Sequence, residues 1–345
     1  MQSIQSNALE PTRAELARLR PAERVRRLIP VYGLPILTFG LIVFFSLLLP
    51  DTFPTALNAR SIMSDKAVIA LLSLSAMLPM IAGRIDLTVG YGIVLWHVVA
   101  ITLQVNYGMD WPVAVALTLA GGLCVGLANG LLVEVAQIDS FIATLGTGTI
   151  LYAIANWHTG GRQIMGLLPR GFIAINATWI AGFPISFFYV IGLALVLWLV
   201  TERLPLGRHL YAIGANPKAA ALNGIPVRGY VIGVFVASGL LTAFTGVLLA
   251  SKLRIGQSSV GLDYLLPALV GAFLGSTTIK PGRVNVWGTL VGVLILAVGI
   301  SGIQQFGAAF FVEPLFNGAT LVVAIGIAGY AQRRRAVVRR NLDSG

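Results

Sequence analysis

Charge is what this sequence has least of. Asp, Glu, Lys and Arg make up 11% of its 345 residues, while 57% are hydrophobic, and mean hydropathy is +0.85. Soluble domains carry about a quarter charged residues, so a water-soluble globular protein is excluded and an integral membrane protein is indicated. Cysteine is nearly absent: the single Cys124 rules out an internal disulfide and a thiolate metal cluster. The three histidines, His97, His158 and His209, are scattered and provide no metal or catalytic constellation. No P-loop, G-x-S-x-G, H-E-x-x-H or paired C-x-x-C occurs, so the chain is expected to hydrolyse no ATP and to carry no catalytic residue, metal or cofactor. No connection is long enough for a soluble catalytic domain; the longest run over 201–229 and about 158–180.

What is present is a series of apolar runs. A bilayer-crossing helix needs about 20 largely apolar residues. The sequence predicts such helices near 30–50, 67–82, 88–105, 112–133, 140–157, 181–200, 230–250, 264–276, 286–304 and 312–330. The eighth, YLLPALVGAFLGS, is short and contains Pro267, the pattern of a half-helix that re-enters. The expected fold is all-α and polytopic: an N-terminal tail at 1–29, a transmembrane domain at 30–330 and a basic tail at 331–345. The arginine-rich opening is longer than a signal peptide's n-region, so the first apolar run reads as a retained anchor.

Ten spans place both termini on one side, and the basic residues indicate which. Six lie in the N-terminal tail, one at Arg84, four in 201–229, two at Lys280 and Arg283, and five in the C-terminal tail. Only Arg60, Lys66, Arg162, Arg170, Lys252 and Arg254 fall on the other side. That asymmetry puts the termini in the cytoplasm by the positive-inside rule. The net charge of +11 therefore reports topology and anionic membrane lipid, not nucleic acid.

Three segments stand out. In MLPMIAGRIDLTVGYGIVLW, Met77 to Trp96, an arginine and an aspartate interrupt apolar sequence between Gly83 and Gly90. Asp86 is placed to cap the following helix, or to brace a break in the chain at membrane depth. In GRHLYAIGANPKAAALNGIPVRGY, Asn216 is a good N-cap, Pro217 suits the first helical position, and Gly224 is a natural stop. A helix of two turns is marginal alone in water, so this one must dock, either on its own membrane domain or on a separate subunit. Finally, FLGSTTIKPGRVNVWGTLVG and the ridge of Gly122, Gly126 and Gly130 suit closely packed helices in lipid.

Together these segments resemble the ribose- and xylose-type permease subunits of bacterial ATP-binding-cassette (ABC) importers, over about 35–330. IAGRIDLTVG looks like that family's I-x-G-G-I-D-L-S-V-G, and GLANGLLV, FIATLGTGTILYAIANWHTGG and FLGSTTIKPGRVNVWGTLVG are similar to further signatures in the same order. GRHLYAIGANPKAAALNGI resembles the segment that contacts the ATPase, through Gly207, Arg208, Gly214, Asn216, Pro217, Ala219, Ala220 and Gly224. Arg84 departs from the family's usual glycine, and GISGIQQFG replaces its usual asparagine-glycine pair.

The resemblance implies a non-enzymatic pore subunit in the bacterial inner membrane. It implies a separate ABC ATPase subunit, a periplasmic substrate-binding protein, and a second copy or paralogue. Gly83, Asp86 and Gly90 would form a structural turn near the pathway, with Asp86 held by backbone or arginine partners. A bulky charge at Ala220 is expected to uncouple transport from ATP hydrolysis. Sugars are bound by hydrogen bonds and aromatic faces, which makes Asn129, Thr144, Thr147, Asn156, Trp157 and Gln304 candidate path residues, with interhelical bonding the competing role of each. A sugar or polyol is the leading cargo; a branched-chain amino acid, a nucleoside or a furanose-like signal are alternatives. A stand-alone secondary transporter would place paired ionisable groups mid-span, where this chain has almost none. A membrane enzyme or scaffold lacks any supporting constellation.

Overall fold

The computed structural model describes residues 21–309, 311–320 and 322. The chain is a helical membrane protein whose described residues contain one two-stranded hairpin, β1 (Trp179–Ile180) and β2 (Phe183–Pro184). Its helices are α1 (Pro21–Leu48), α2 (Ala56–Asp65), α3 (Ala67–Ile81), α4 (Thr88–Val105), α5 (Trp111–Glu134), α6 (Ser140–Thr159) and α7 (Arg170–Ala177). After the hairpin come α8 (Ile185–Trp198), α9 (Pro205–Ala215), α10 (Pro217–Leu222), α11 (Val227–Leu253), α12 (Leu265–Leu274) and α13 (Val286–Gln305).

Among the described residues six helices are long and apolar enough to span a bilayer, and a seventh span is counted if α2 and α3, bent by 42°, are taken as one. A helix begins at each of the expected apolar runs, but several are unlike a simple span. α1 starts earlier than the apolar run, at Pro21. α8 is only 14 residues long and continues into a π-helical turn, Leu199–Arg203. The eighth expected span is a 3-10 turn, Leu262–Tyr264, followed by the ten-residue α12, as Pro267 and its shortness indicated. The tenth is helical over 312–320; the rest of it, like most of both expected tails, lies outside the described residues.

Hydrophobic pattern decides which helices are central. α3 (AVIALLSLSAMLPMI) is apolar all round and almost wholly buried, the signature of an interior helix. In α4 78% of the spanning window is buried, against 11% in α1 and 28% in α5; the outer helices present Leu, Ile and Phe to lipid. Polar side chains inside these helices are satisfied locally, since Ser73, Ser75, Thr118, Thr242 and Thr245 each donate to the carbonyl four residues back.

The connections sort into two ends. At one end Arg84 pairs with Glu134, Lys280 pairs with Glu202, and Tyr211 donates to Val284 O. At the other, Lys66 pairs with Glu313, Lys252 with Asp65, and Ile164 bridges to Gly256. The second end carries α2 and α7, short amphipathic helices that apolar-run length does not detect.

α5 and α11 pack backbone to backbone along the small-residue ridge. A Cβ on Gly122 would lie 2.5 Å from Gly239 O, and one on Gly126 would lie 2.3 Å from Phe235 O. Close approach through small residues is how helices associate in lipid. Replacing Gly126 by valine should destabilise the protein by about 1–3 kcal/mol, the cost of overpacking. The same change at Gly146, where added atoms meet open space, should leave the melting temperature in detergent near wild type.

Candidate functional site

Two arrangements at the same end of the molecule concern function: a buried polar network around Asp86, and the folded loop of α9 and α10 beside it. Between α3 and α4 the chain leaves helix at Ala82 and re-enters at Thr88. Gly83 supplies the reversal with φ +75°, a conformation glycine adopts at little cost. Asp86, 2% exposed, accepts from Thr88 N at 2.9 Å, from the Thr88 hydroxyl, and from Ser238 Oγ of α11 at 2.7 Å.

The network continues outward from that carboxylate. Asn129 Nδ2 of α5 donates to Thr88 Oγ1 at 3.2 Å, and Thr147 Oγ1 of α6 donates to Asn129 Oδ1 at 2.7 Å. Thr144 Oγ1 accepts from Leu87 N at 3.0 Å, and Ser140 Oγ accepts from Ile85 N at 3.1 Å. The non-helical segment is thereby tied to α4, α5, α6 and α11. Its free backbone donors find side chains, which is the condition for irregular backbone among spanning helices. Beside it Arg84 Nη2 pairs with Glu134 Oε1 at 2.7 Å, with Glu134 only 4% exposed.

The second arrangement is α9–α10. Gly207 and Gly214 let α9 lie flush against its neighbours. A Cβ on Gly207 would sit 2.0 Å from Thr201 O, and one on Gly214 would sit 2.1 Å from Ile81 O and 3.3 Å from Gly83 N. Tyr211 Oη donates to Val284 O at 2.8 Å, the Arg283 guanidinium lies 3.9 Å from the Tyr211 ring centre, and Lys280 pairs with Glu202. Burial, reinforced by the Glu202 carboxylate, pushes the Tyr211 phenol above its ordinary range, so it stays a neutral donor. His209 Nδ1 and Tyr230 Oη are hydrogen-bonded at 2.6 Å, joining α9 to α11.

α10 is capped as its sequence indicates. Asn216 Oδ1 accepts from Ala219 N at 3.1 Å, Pro217 occupies the first turn, and Gly224 leaves the helix at φ +78°. Ala220 is buried against the chain's own membrane domain, because α10 packs on the start of α11. The outward face carries Lys218, Ala219, Ala221 and Leu222, and Leu222 is 89% exposed.

The family described as branched-chain amino acid transport system / permease component matches residues 58–325. The chain belongs to that family. It is 31% identical over 302 residues to a ribose import permease protein of Bacillus subtilis, covering 87% of this chain and 92% of the relative. It is 32% identical over 268 residues to an autoinducer 2 import system permease protein of an Enterobacter species, covering 76% and 81%. A D-allose transport system permease protein of Escherichia coli is 26% identical over 298 residues, covering 86% and 90%. No solved structure matches the chain.

In this permease component the sequence-derived candidates separate by role. Asn129, Thr144 and Thr147 come together near Asp86, with Thr147 bonded to Asn129, Asn129 to Thr88, and Thr144 to the backbone of the break, so they tie helices together. Asn156 Nδ2 donates to Tyr152 O at 3.0 Å within α6, and Trp157 projects at the far end of that helix, 84% exposed. Gln304 donates to Glu313 at 3.0 Å, beside a cavity of about 200 Å³. A larger groove of about 500 Å³ is lined by Leu78, Leu197, Leu210, Tyr230 and Val234; its walls are largely apolar, and the Tyr230 hydroxyl is engaged by His209.

The structure refines three expectations. The break spans Ala82 to Leu87, and Gly90 lies inside α4, where a Cβ would meet Leu265 Cβ at 2.3 Å. Asp86 has the expected backbone partner in the Thr88 amide, joined by two hydroxyls, while Arg84 is taken by Glu134 instead. Ala220 faces inward, away from the exposed side of α10. Ser238, Ser140, Glu134, Glu202, Tyr211 and Tyr230 were missed, because nothing local in a sequence pairs residues 21 to 152 positions apart.

Removing the Asp86 carboxylate strands buried donors, each costing about 1–3 kcal/mol. Asp86→Ala should therefore lower the melting temperature in detergent substantially. Asp86→Asn retains one acceptor oxygen and should lie between alanine and wild type.

Proposed function

We propose that this permease component forms the translocation pathway of an ATP-driven importer for a sugar or related polyol. A separate ABC ATPase subunit engages the loop 201–229. A periplasmic binding protein delivers the solute to the opposite end, and a second copy or a paralogue completes the pore. The chain lies in the bacterial inner membrane with both termini cytoplasmic, among anionic lipids. It hydrolyses no ATP itself and takes no nucleic acid.

The observation that carries this reading is the form of α9–α10. The short helix is fixed on its inner side by Ala220 and by the anchored α9, yet it displays a nearly fully exposed leucine. An exposed leucine on a rigid, capped two-turn helix fits the groove of a partner, in the manner of helix-in-groove recognition. The concentration of basic residues at this end supports its cytoplasmic placement. The import permeases of ribose, D-allose and autoinducer 2 among its relatives support a sugar-like cargo. The branched-chain amino acid description of the family favours a second reading, in which the same machine carries such an amino acid.

With selectivity residing in the binding protein, the permease needs little grip on its cargo. Trp157 at the far end of α6, Asn156, and Gln304 beside the smaller cavity are the remaining candidates for contact with it. The seat for the ATPase is formed by Arg208, Ala219 and Leu222, with Gly207, Gly214, Asn216, Pro217 and Gly224 shaping the loop.

Uptake of labelled ribose and of labelled leucine into cells expressing the complete transporter tests the reading. One of them should enter in an ATP-dependent manner that survives collapse of the proton gradient; uptake that needs the gradient and no ATPase contradicts it. Leu222→Asp should leave the protein in the membrane and reduce the co-purifying ATPase at least tenfold, a loss of about 1.4 kcal/mol or more in association.

A further inference from the structure

The geometry points to the Gly214–Gly83 contact as the place where movement of the cytoplasmic loop enters the membrane domain, with Gly214 and Gly83 as positioning residues for coupling. This rests on the ATP-driven importer reading and adds where the force is delivered.

The two ends of the α3–α4 break are held by different things. Its far end, Asp86 to Thr88, is locked by Ser238, Asn129 and Thr144 into four helices. Its near end, Ile81 to Gly83, lies directly on α9: the missing Cβ of Gly214 would sit 2.1 Å from Ile81 O, and that of Gly83 would lie 3.4 Å from Gly214 Cα. Backbone touches backbone with no side chain between to absorb a shift. α10 follows α9 after one residue, Asn216, so a displacement of α10 reaches Gly214 with little slack. Between the two ends stand Arg84, paired with Glu134, and Ile85, bonded to Ser140, and Gly83, the last residue of the pushed end, is the one with positive φ.

α9 is also held by Tyr211 on Val284 and Arg283, by His209 on Tyr230, and by Gly207 on Thr201. The tyrosine and histidine contacts are made through side chains, which pivot and stretch more readily than a close backbone contact, and the Gly207 contact joins α9 only to the turn that leads into it. The tight seat is therefore where α9 and the break move together, and Gly83 is where the break yields. Packed contacts of this kind transmit small shifts because they deform little.

The test reads movement at the break without knowing the cargo. In the full chain with Cys124→Ser, a reporter thiol is placed by Ile85→Cys, and the complex with its ATPase is labelled in membrane vesicles by a maleimide, with and without ATP plus vanadate. The parent should change its labelling rate at least threefold on nucleotide addition. Gly214→Ala, which forces α9 off Ile81, should abolish most of that change while the ATPase still co-purifies and hydrolyses ATP. Gly83→Ala, whose Cβ would lie 3.4 Å from Gly214 Cα and would strain the positive φ at this position, should also blunt it, and it serves as the reading if Gly214→Ala fails to assemble. Gly192→Ala, in open space on α8, should behave as the parent.

A full nucleotide response in an assembled Gly214→Ala complex overturns the inference; if only Gly83→Ala assembles, a full response there does the same. If the parent itself retains no ATPase, the importer reading fails. If the parent holds an active ATPase but the thiol never responds, only the coupling site is wrong.

Discussion

A carboxylate enclosed by apolar helices is tolerable only when donors surround it, and Asp86 has three of them. Thr88 contributes its amide and hydroxyl from the same segment, while Ser238 reaches in from α11. That requirement fixes more than one side chain. It holds the chain out of helix between α3 and α4 and sets the register of α11 against α4. Through Asn129 and Thr147 it also draws α5 and α6 into the same assembly. The glycine ridge between α5 and α11 then closes the distance that these bonds require.

The loop of α9 and α10 is built onto this frame. α9 does not hang from the membrane domain but is seated on it by two glycines, a partly buried tyrosine and a histidine–tyrosine bond. The consequence is a division of surfaces on α10: alanine inward, leucine outward. An element fixed on one face and exposed on the other can bias two sites at once, which coupling between them requires.

Much of the helical framework was legible in the sequence. Apolar runs of sufficient length announce spans, and Asn216-Pro217 with Gly224 announces a short capped helix whatever its surroundings, because caps are satisfied locally. Glycine spacing announced the α5–α11 contact. Legibility ended where partners are distant in the chain. Arg84 carries no mark of Glu134, 50 residues on, and Asp86 none of Ser238, 152 residues on. The orientation of α10 was equally hidden, since five of its six residues are small or apolar enough to face either way. Asn129, Thr144 and Thr147 illustrate the same limit from the other side. Polar residues within spans signal either a path or a brace, and only their mutual hydrogen bonds distinguish the two.

The relatives that import ribose, D-allose and autoinducer 2 share an extended match with this chain. The chain is a permease component, and its being moved by a separate ATPase is what we propose. The decisive measurement is purification of the tagged full chain from its native membrane in gentle detergent with nucleotide present, followed by mass spectrometry of what accompanies it. An ABC ATPase in near-stoichiometric amount is the expected result. A chain that repeatedly emerges without any ATPase, yet still transports solute when reconstituted alone, would contradict it.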